Sequence, residues 1–203
     1  MIPAPILNIE TTHFYVHGLE AGAYLFKNEQ HSVMLGISYM PLEFDASDSD
    51  DNRMKQLDDR DASAFAALSY SYTHPLVTVS AKLSGDISGK SDGLLADVRA
   101  LHRFQIGQLG LTPMVGVIWA SEKFNEYYYG ITAAESARSG LAAYTPDSST
   151  TGYVRLFADY TFNDHLSVWL EGSWQPLASE VKDSPMVERS NRMGFGGGVN
   201  WRF

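Results

Sequence analysis

"GFGGGVNWRF", residues 194–203, alternates to its last residue. In extended backbone successive side chains point to opposite faces. Phe195, Gly197, Val199, Trp201 and Phe203 then share one face, and Gly194, Gly196, Gly198, Asn200 and Arg202 share the other. Met193 extends the first set and Arg192 the second. A frayed tail has no reason to keep such a period. The stretch reads as a strand with an apolar side and a small or polar side.

The same period runs along the chain. Leu166, Val168, Leu170, Gly172 and Trp174 oppose Ser167, Trp169, Glu171 and Ser173. Val154, Leu156, Ala158, Tyr160 and Phe162 oppose Arg155, Phe157, Asp159 and Thr161. Leu94, Ala96, Val98, Ala100 and Phe104 oppose Asp97, Arg99 and Arg103. About ten such segments occur, near 3–10, 13–26, 32–44, 63–73, 75–84, 94–105, 110–121, 152–162, 166–176 and 192–203. Most have the length of a strand tilted across a bilayer, roughly 9–11 residues. Within 13–26 the apolar phase flips at "HGLEAG", which fits either a bulge or a tight hairpin.

Connections alternate in length. "KNEQH" (27–31), "THP" (73–75), "QIGQLG" (105–110) and "NDH" (163–165) are short, whereas 45–62, 85–93, 122–151 and 177–191 are long and polar. Short turns at one end and long loops at the other describe an outer-membrane barrel, with the turns periplasmic. Aromatic residues near strand ends on the apolar face (Tyr70, Trp119, Tyr160, Trp174) suit an interfacial girdle. Charges on the other face, Asp97, Arg99, Arg103, Arg155, Asp159, Glu171 and Arg192, suit a wet lumen. The expected fold is all-β: one antiparallel up-and-down transmembrane β-barrel domain of 10–12 strands over residues 1–203. Trp201 and Phe203 then resemble the C-terminal signal by which such barrels are recognised for insertion.

Composition removes other classes. Of 203 residues 44% are hydrophobic, which excludes a disordered chain, and the net charge of −9 excludes electrostatic binding to nucleic acid. There is no cysteine, hence no disulfide framework or thiolate metal site. "MIPAPILNIE" lacks the basic start and cleavage site of a signal peptide.

Candidate chemistry is sparse. Asp48, Asp50, Asn52 and Asp59 are spaced like part of a calcium loop, but Arg53 stands where a glycine is required. The stretch therefore reads as a solvated loop, and no metal or cofactor is expected. Six histidines are scattered. His102 is the best of them for catalysis, yet Ser69, Ser71 and Ser80 lie on the opposite face, so no enzyme is expected. Tyr127, Tyr128 and Tyr129 in "EYYYG" fit a packed loop core or a contact surface. Glu126, Glu135, Arg138 and Tyr144 would add polar specificity, and "AAESARSG" (133–140) one helical turn. Asp58, Asp59 and Arg60 could pin their loop by charge-assisted bonds.

"NEYYYGITAAESARSGLAAYTPD" (Asn125–Asp147), "LDDR" (57–60), "DSPMV" (183–187) and the opening "PAPILNIETTHFYVHGLEAGAYLF" resemble the MltA-interacting protein/OmpV family of Gram-negative outer-membrane proteins. The resemblance implies a twelve-stranded full-length barrel, which favours the hairpin within 13–26. It also implies an export signal and a first glycine-rich strand that this sequence lacks. The implied role is a scaffold joining a lytic murein transglycosylase to a peptidoglycan synthase, in contact with outer-membrane lipid and lipopolysaccharide. Other members are porin-like or adhesive. No catalytic residues come with the resemblance.

Overall fold

The computed structural model describes residues 8–201; the expectations at residues 3–7 and at Arg202 and Phe203 lie outside the described residues. Twelve strands form one antiparallel sheet. They are β1 (Asn8–Glu10), β2 (Phe14–His17), β3 (Glu20–Lys27), β4 (His31–Met40), β5 (Ser63–His74), β6 (Val77–Asp86), β7 (Leu94–Leu101), β8 (Phe104–Ile106), β9 (Leu109–Ala120), β10 (Ser149–Thr161), β11 (Leu166–Pro176) and β12 (Asn191–Trp201). Neighbours in sequence pair in space throughout, except that β7 and β8 both pair with β9.

Two details resolve the strand count. The phase flip near residue 18 is a hairpin: β2 and β3 pair from His17–Glu20 outward, and Gly18 takes the left-handed φ of 59° that the turn requires. The expected single strand 94–105 is broken at His102 and Arg103. Leu101 pairs with Met114 and Phe104 with Leu111, so the register is the same on both sides of the break. Opposite the break stands Pro113, which has no N–H to give the ladder. Strands β7 and β8 are thus one passage, and among the described residues the twelve strands make eleven passages.

The sheet coils into an up-and-down barrel. Lys82 on β6 hydrogen-bonds Glu20 on β3, three strands away, across the concave face. A chamber of about 440 Å³ is walled jointly by Ser38 of β4, Lys82 of β6, Asp97 of β7, Ile118 of β9, Arg155 of β10 and Arg192 of β12. The convex face is apolar and uncovered: Leu170 is 67% exposed and Phe195 86%. So much exposed apolar surface is unfavourable in water and matches the hydrocarbon of a bilayer. No helix among the described residues is long and apolar enough to cross a membrane. Aromatics collect at both rims of this face, with Tyr39, Trp119 and Trp174 toward the loop end and Phe104, Tyr160, Phe162 and Trp201 toward the turn end.

Glycines facing the lumen are matched to large neighbours. Gly198 pairs with Trp169, and a Cβ there would lie 2.7 Å from the indole Nε1. Gly116 pairs with Tyr153 and would meet its ring at 2.4 Å. Tyr15, 2% exposed, lies across Gly22 and Gly36 to reach Glu20 at 2.9 Å. On the glycine face of β12 Trp169 covers Gly196 and Gly198 and stacks on Phe157, with ring centroids 5.8 Å apart and planes 20° from parallel, while Gly194 lines the lumen chamber.

Gly198→Val should cost about 1–3 kcal/mol by driving Trp169 off its seat. Gly152→Ala, whose Cβ would meet nothing nearer than 3.7 Å, should be near neutral. The midpoint of barrel unfolding in urea with lipid vesicles measures both. Leu170→Arg, in the middle of β11 on the convex face, should cost about 2–4 kcal/mol in the same assay.

Candidate functional site

The long loops fold into a cap over one end of the barrel. The loop after β9, expected to be long and polar with one helical turn at 133–140, carries two helices, α1 (Glu122–Tyr129) and α2 (Ala133–Ser139). Ser121 starts α1: its hydroxyl accepts from the Phe124 N–H and, at 2.9 Å, from the Leu94 N–H of β7. The helix buries Phe124, Asn125 and Tyr128. Phe124 packs on Phe65 of β5, and Gly93 allows the approach, since a Cβ there would lie 2.7 Å from that of Phe124. Thr132 and Glu135 form a reciprocal capping box on α2, which ends at Gly140 in the left-handed conformation, φ 73°. "AAESARSG" is thus a full short helix rather than one turn.

Glu135 is the hub, with no exposed surface. One carboxylate oxygen accepts from Arg60 Nη2 at 2.7 Å and from the Asp58 N–H at 3.0 Å. The other accepts from the Thr132 N–H at 2.8 Å and hydroxyl at 2.9 Å. Arg60, 8% exposed, also donates to the Asp58 carbonyl at 2.8 Å and the Gly130 carbonyl at 3.1 Å. Burial alone would raise the Glu135 pKa, but the four donors outweigh it and hold the carboxyl down at about 2. Arg138 binds the Gln56 carbonyl and the Asp58 carboxylate. Leu57, Ile131 and Leu141 pack beneath these polar contacts.

The tyrosines divide. Tyr128 is buried, bonds Ser63 at 2.7 Å and has its pKa raised by burial. Tyr127 accepts from the Asp61 N–H at 2.9 Å. Tyr129 faces the lumen and accepts from Arg192 of β12. The third loop joins through a short helix, α3 (Ser179–Lys182). Ser184 donates to the Tyr129 carbonyl at 2.6 Å, and Tyr144 to the Glu180 carbonyl at 3.0 Å. Of the expected contact residues, Arg60, Tyr128 and Glu135 are therefore interior, Tyr127, Tyr129 and Tyr144 half-buried, and Asp58, Asp59, Glu126 and Arg138 exposed.

The acidic loop turns its carboxylates to local work. Asp45 caps a short 3-10 turn through the Ser47 N–H at 2.8 Å, Asp51 pairs with Arg53, and Asp59 accepts from the Ala46 N–H at 2.9 Å. Among the described residues no group of acidic or histidine side chains is placed to hold a metal. His102 sits at the ladder break against Phe104, ring centroids 4.3 Å apart.

Six of the seven expected lumen charges are paired along the wall, and the seventh, Arg192, bonds Tyr129 instead. Tyr153 donates to Asp97 at 2.9 Å, Arg99 lies 3.9 Å from Asp97, and Arg155 lies 3.5 Å from Glu171. Arg103 holds Asp159 through two bonds of 2.6 and 2.8 Å near the turn end. Sequence reading missed Ser121, Phe124, Asn125, the Glu20–Lys82 pair and Thr132. Only Thr132 carried a local signal, the Thr-x-x-Glu spacing to Glu135.

A family model described as "MltA-interacting protein MipA" matches residues 1–203. The putative outer membrane protein YiaT of Escherichia coli K12 is 39% identical over 98% of this chain and 81% of its own length. The MltA-interacting protein of the same strain is 38% identical over 99% and 81%. Outer membrane protein OmpV of Vibrio cholerae is 28% identical over 88% and 69%. The chain belongs to the MltA-interacting protein family and is an outer-membrane β-barrel.

Glu135→Gln would leave Arg60 buried without its counter-charge, so the cap should lose about 3–5 kcal/mol. Limited proteolysis should then cut within 122–147 while the strands stay intact. Because the folded Glu135 pKa lies below its ordinary value, the stabilisation is complete above about pH 4.5 and drains away as pH falls toward 2. Cleavage of the wild-type cap by an acid protease should rise over that window, and cleavage of the Glu135→Gln cap should not change with it.

Proposed function

We propose that this member of the MltA-interacting protein family is a non-enzymatic interaction barrel that holds a lytic murein transglycosylase, and with it a peptidoglycan synthase, at the periplasmic side of the outer membrane. The observation that carries the reading is the cap. Two loops are locked together by the buried Arg60–Glu135 pair, the third is tied on by Tyr144 and Ser184, and Phe124 seats the cap on the strands, which favours a closed barrel over a conducting one. The relative named for its interaction with MltA, 38% identical, supports the choice of partner.

Loop polarity sets where such a partner would touch. Strands β3, β5, β8 and β10 each end in a short turn, so Glu29, Leu76, Gly107 and Asp164 share one end of the barrel, opposite the cap. Short turns are the periplasmic ones. The transglycosylase would therefore meet the turn end, and the exposed Asp58, Asp59, Glu126 and Arg138 would face outward toward lipopolysaccharide. The lumen chamber and the built outer surface favour a second reading, a gated porin-like barrel or a surface-binding protein.

Charge reversal at the turns, Glu29→Lys with Asp164→Lys, should abolish co-purification of the transglycosylase from crosslinked cells, while Glu126→Ala with Arg138→Ala should leave it intact. The opposite pattern would move the contact to the outer face, and failure of the wild-type chain to recover the enzyme would remove the scaffold reading. In planar bilayers the wild-type barrel should show no discrete conductance steps; steps at neutral pH would establish the channel.

A further inference from the structure

Beneath the cap lies a chamber of about 360 Å³ that the contact role does not use. Its size is that of a small-molecule site. Its wall is mainly apolar, built from Leu42, Leu95, Ile118, Phe124, Leu177 and Val181. Two polar features stand out against that lining.

The first is Arg192. It lines this chamber, the 440 Å³ lumen chamber and the open outer vestibule, and so stands where the three meet. Lys82, Arg99 and Arg155, the other lumen cations nearby, each have a carboxylate within 4 Å. Arg192 has none among the described residues; its contacts are the Tyr129 hydroxyl and the face of that ring, 5.9 Å from the centroid. A guanidinium whose partner is a neutral phenol keeps most of its donors free for a planar anion.

The second is Asn125, 1% exposed. Its amide nitrogen donates to the Asp147 carbonyl at 2.7 Å and to Ser149 Oγ at 2.9 Å. Donation to a carbonyl fixes the orientation of the amide, so Oδ1 is the remaining atom. No described group donates to it. A buried acceptor of this kind costs free energy until a donor reaches it. One chamber thus offers a cation at its mouth, an apolar body and an unmet acceptor in its wall.

We propose that the chamber binds a small hydroxyaryl carboxylate: the carboxylate on Arg192, the ring against Phe124, Leu95 and Ile118, and the hydroxyl donating to Asn125 Oδ1. The acid-rich vestibule outside opposes entry of a free anion at low salt. Physiological salt screens that repulsion beyond about 8 Å. The inference is independent of the partner contact, which lies at the other end of the barrel.

Calorimetric titration of the refolded full chain tests it, with 4-hydroxyphenylacetate as the probe. Phenylacetate lacks the hydroxyl, 4-hydroxyphenethyl alcohol lacks the charge, and acetate lacks the ring. The first probe should bind, and each of the others should bind about tenfold more weakly or less. Arg192→Met should weaken 4-hydroxyphenylacetate by about tenfold and erase its advantage over the alcohol. Circular dichroism of the variant confirms the fold, and Tyr129→Phe, which keeps the guanidinium, should retain binding. No binding of 4-hydroxyphenylacetate at millimolar concentration, equal binding of acetate, or an unchanged affinity in Arg192→Met would each overturn the proposal.

Discussion

The carboxylate of Glu135 organises everything above the membrane. It is fully buried and accepts four hydrogen bonds from two loops that are 77 residues apart in sequence. A buried charge is tolerated only where its lone pairs are met and a counter-charge is close. Here Thr132 meets one carboxylate oxygen from within α2, while Asp58 and Arg60 of the segment that re-enters the barrel meet the other and supply the counter-charge, which ties loop 41–62 to α2. Tyr144 and Ser184 extend the same lock to the third loop. The cap therefore behaves as one body, and the Phe124–Phe65 contact seats it on the sheet.

Below the cap a different constraint rules. In hydrocarbon every backbone group must find its partner within the protein, so each strand pairs with its neighbour along the order β1 to β12, with β7 and β8 both on β9, and the side chains sort by face. The convex face takes residues that lipid accepts. The concave face takes charges that pair with one another, as in Lys82 with Glu20 and Arg103 with Asp159. Bulky inward side chains fit because glycine stands opposite them, as Gly198 does for Trp169 and Gly116 for Tyr153. The chambers left beneath the cap are modest, about 440 Å³ in the lumen and about 360 Å³ under α1.

The barrel was legible in the sequence because a period of two is local: Phe195, Val199 and Trp201 announce their face without help from any other strand. Strand breaks were less so. The phase flip near Gly18 left a local mark, though the residues alone allowed hairpin or bulge and only the resemblance favoured the hairpin; the break at His102 was not read, because Pro113 acts from the neighbouring strand. The cap was the least legible part. "EYYYG" reads equally well as a loop core and as a contact surface, because helix α1 is stabilised by Phe65 and Gly93, which lie far away in sequence. Arg60 and Glu135 were both singled out, yet nothing in their spacing says that they meet. Arg192 was read as a lumen charge, and its lack of a carboxylate partner emerged only in three dimensions.

Amide hydrogen exchange on the barrel in lipid nanodiscs is the most direct test of a cap locked by Glu135. The Asp58 and Thr132 N–H groups, which donate to that carboxylate, should exchange as slowly as amides within β9 and β10 at neutral pH. Both should speed up together in Glu135→Gln while the strands stay protected. Exchange of these two amides at the rate of an open loop in the wild-type barrel would contradict the account.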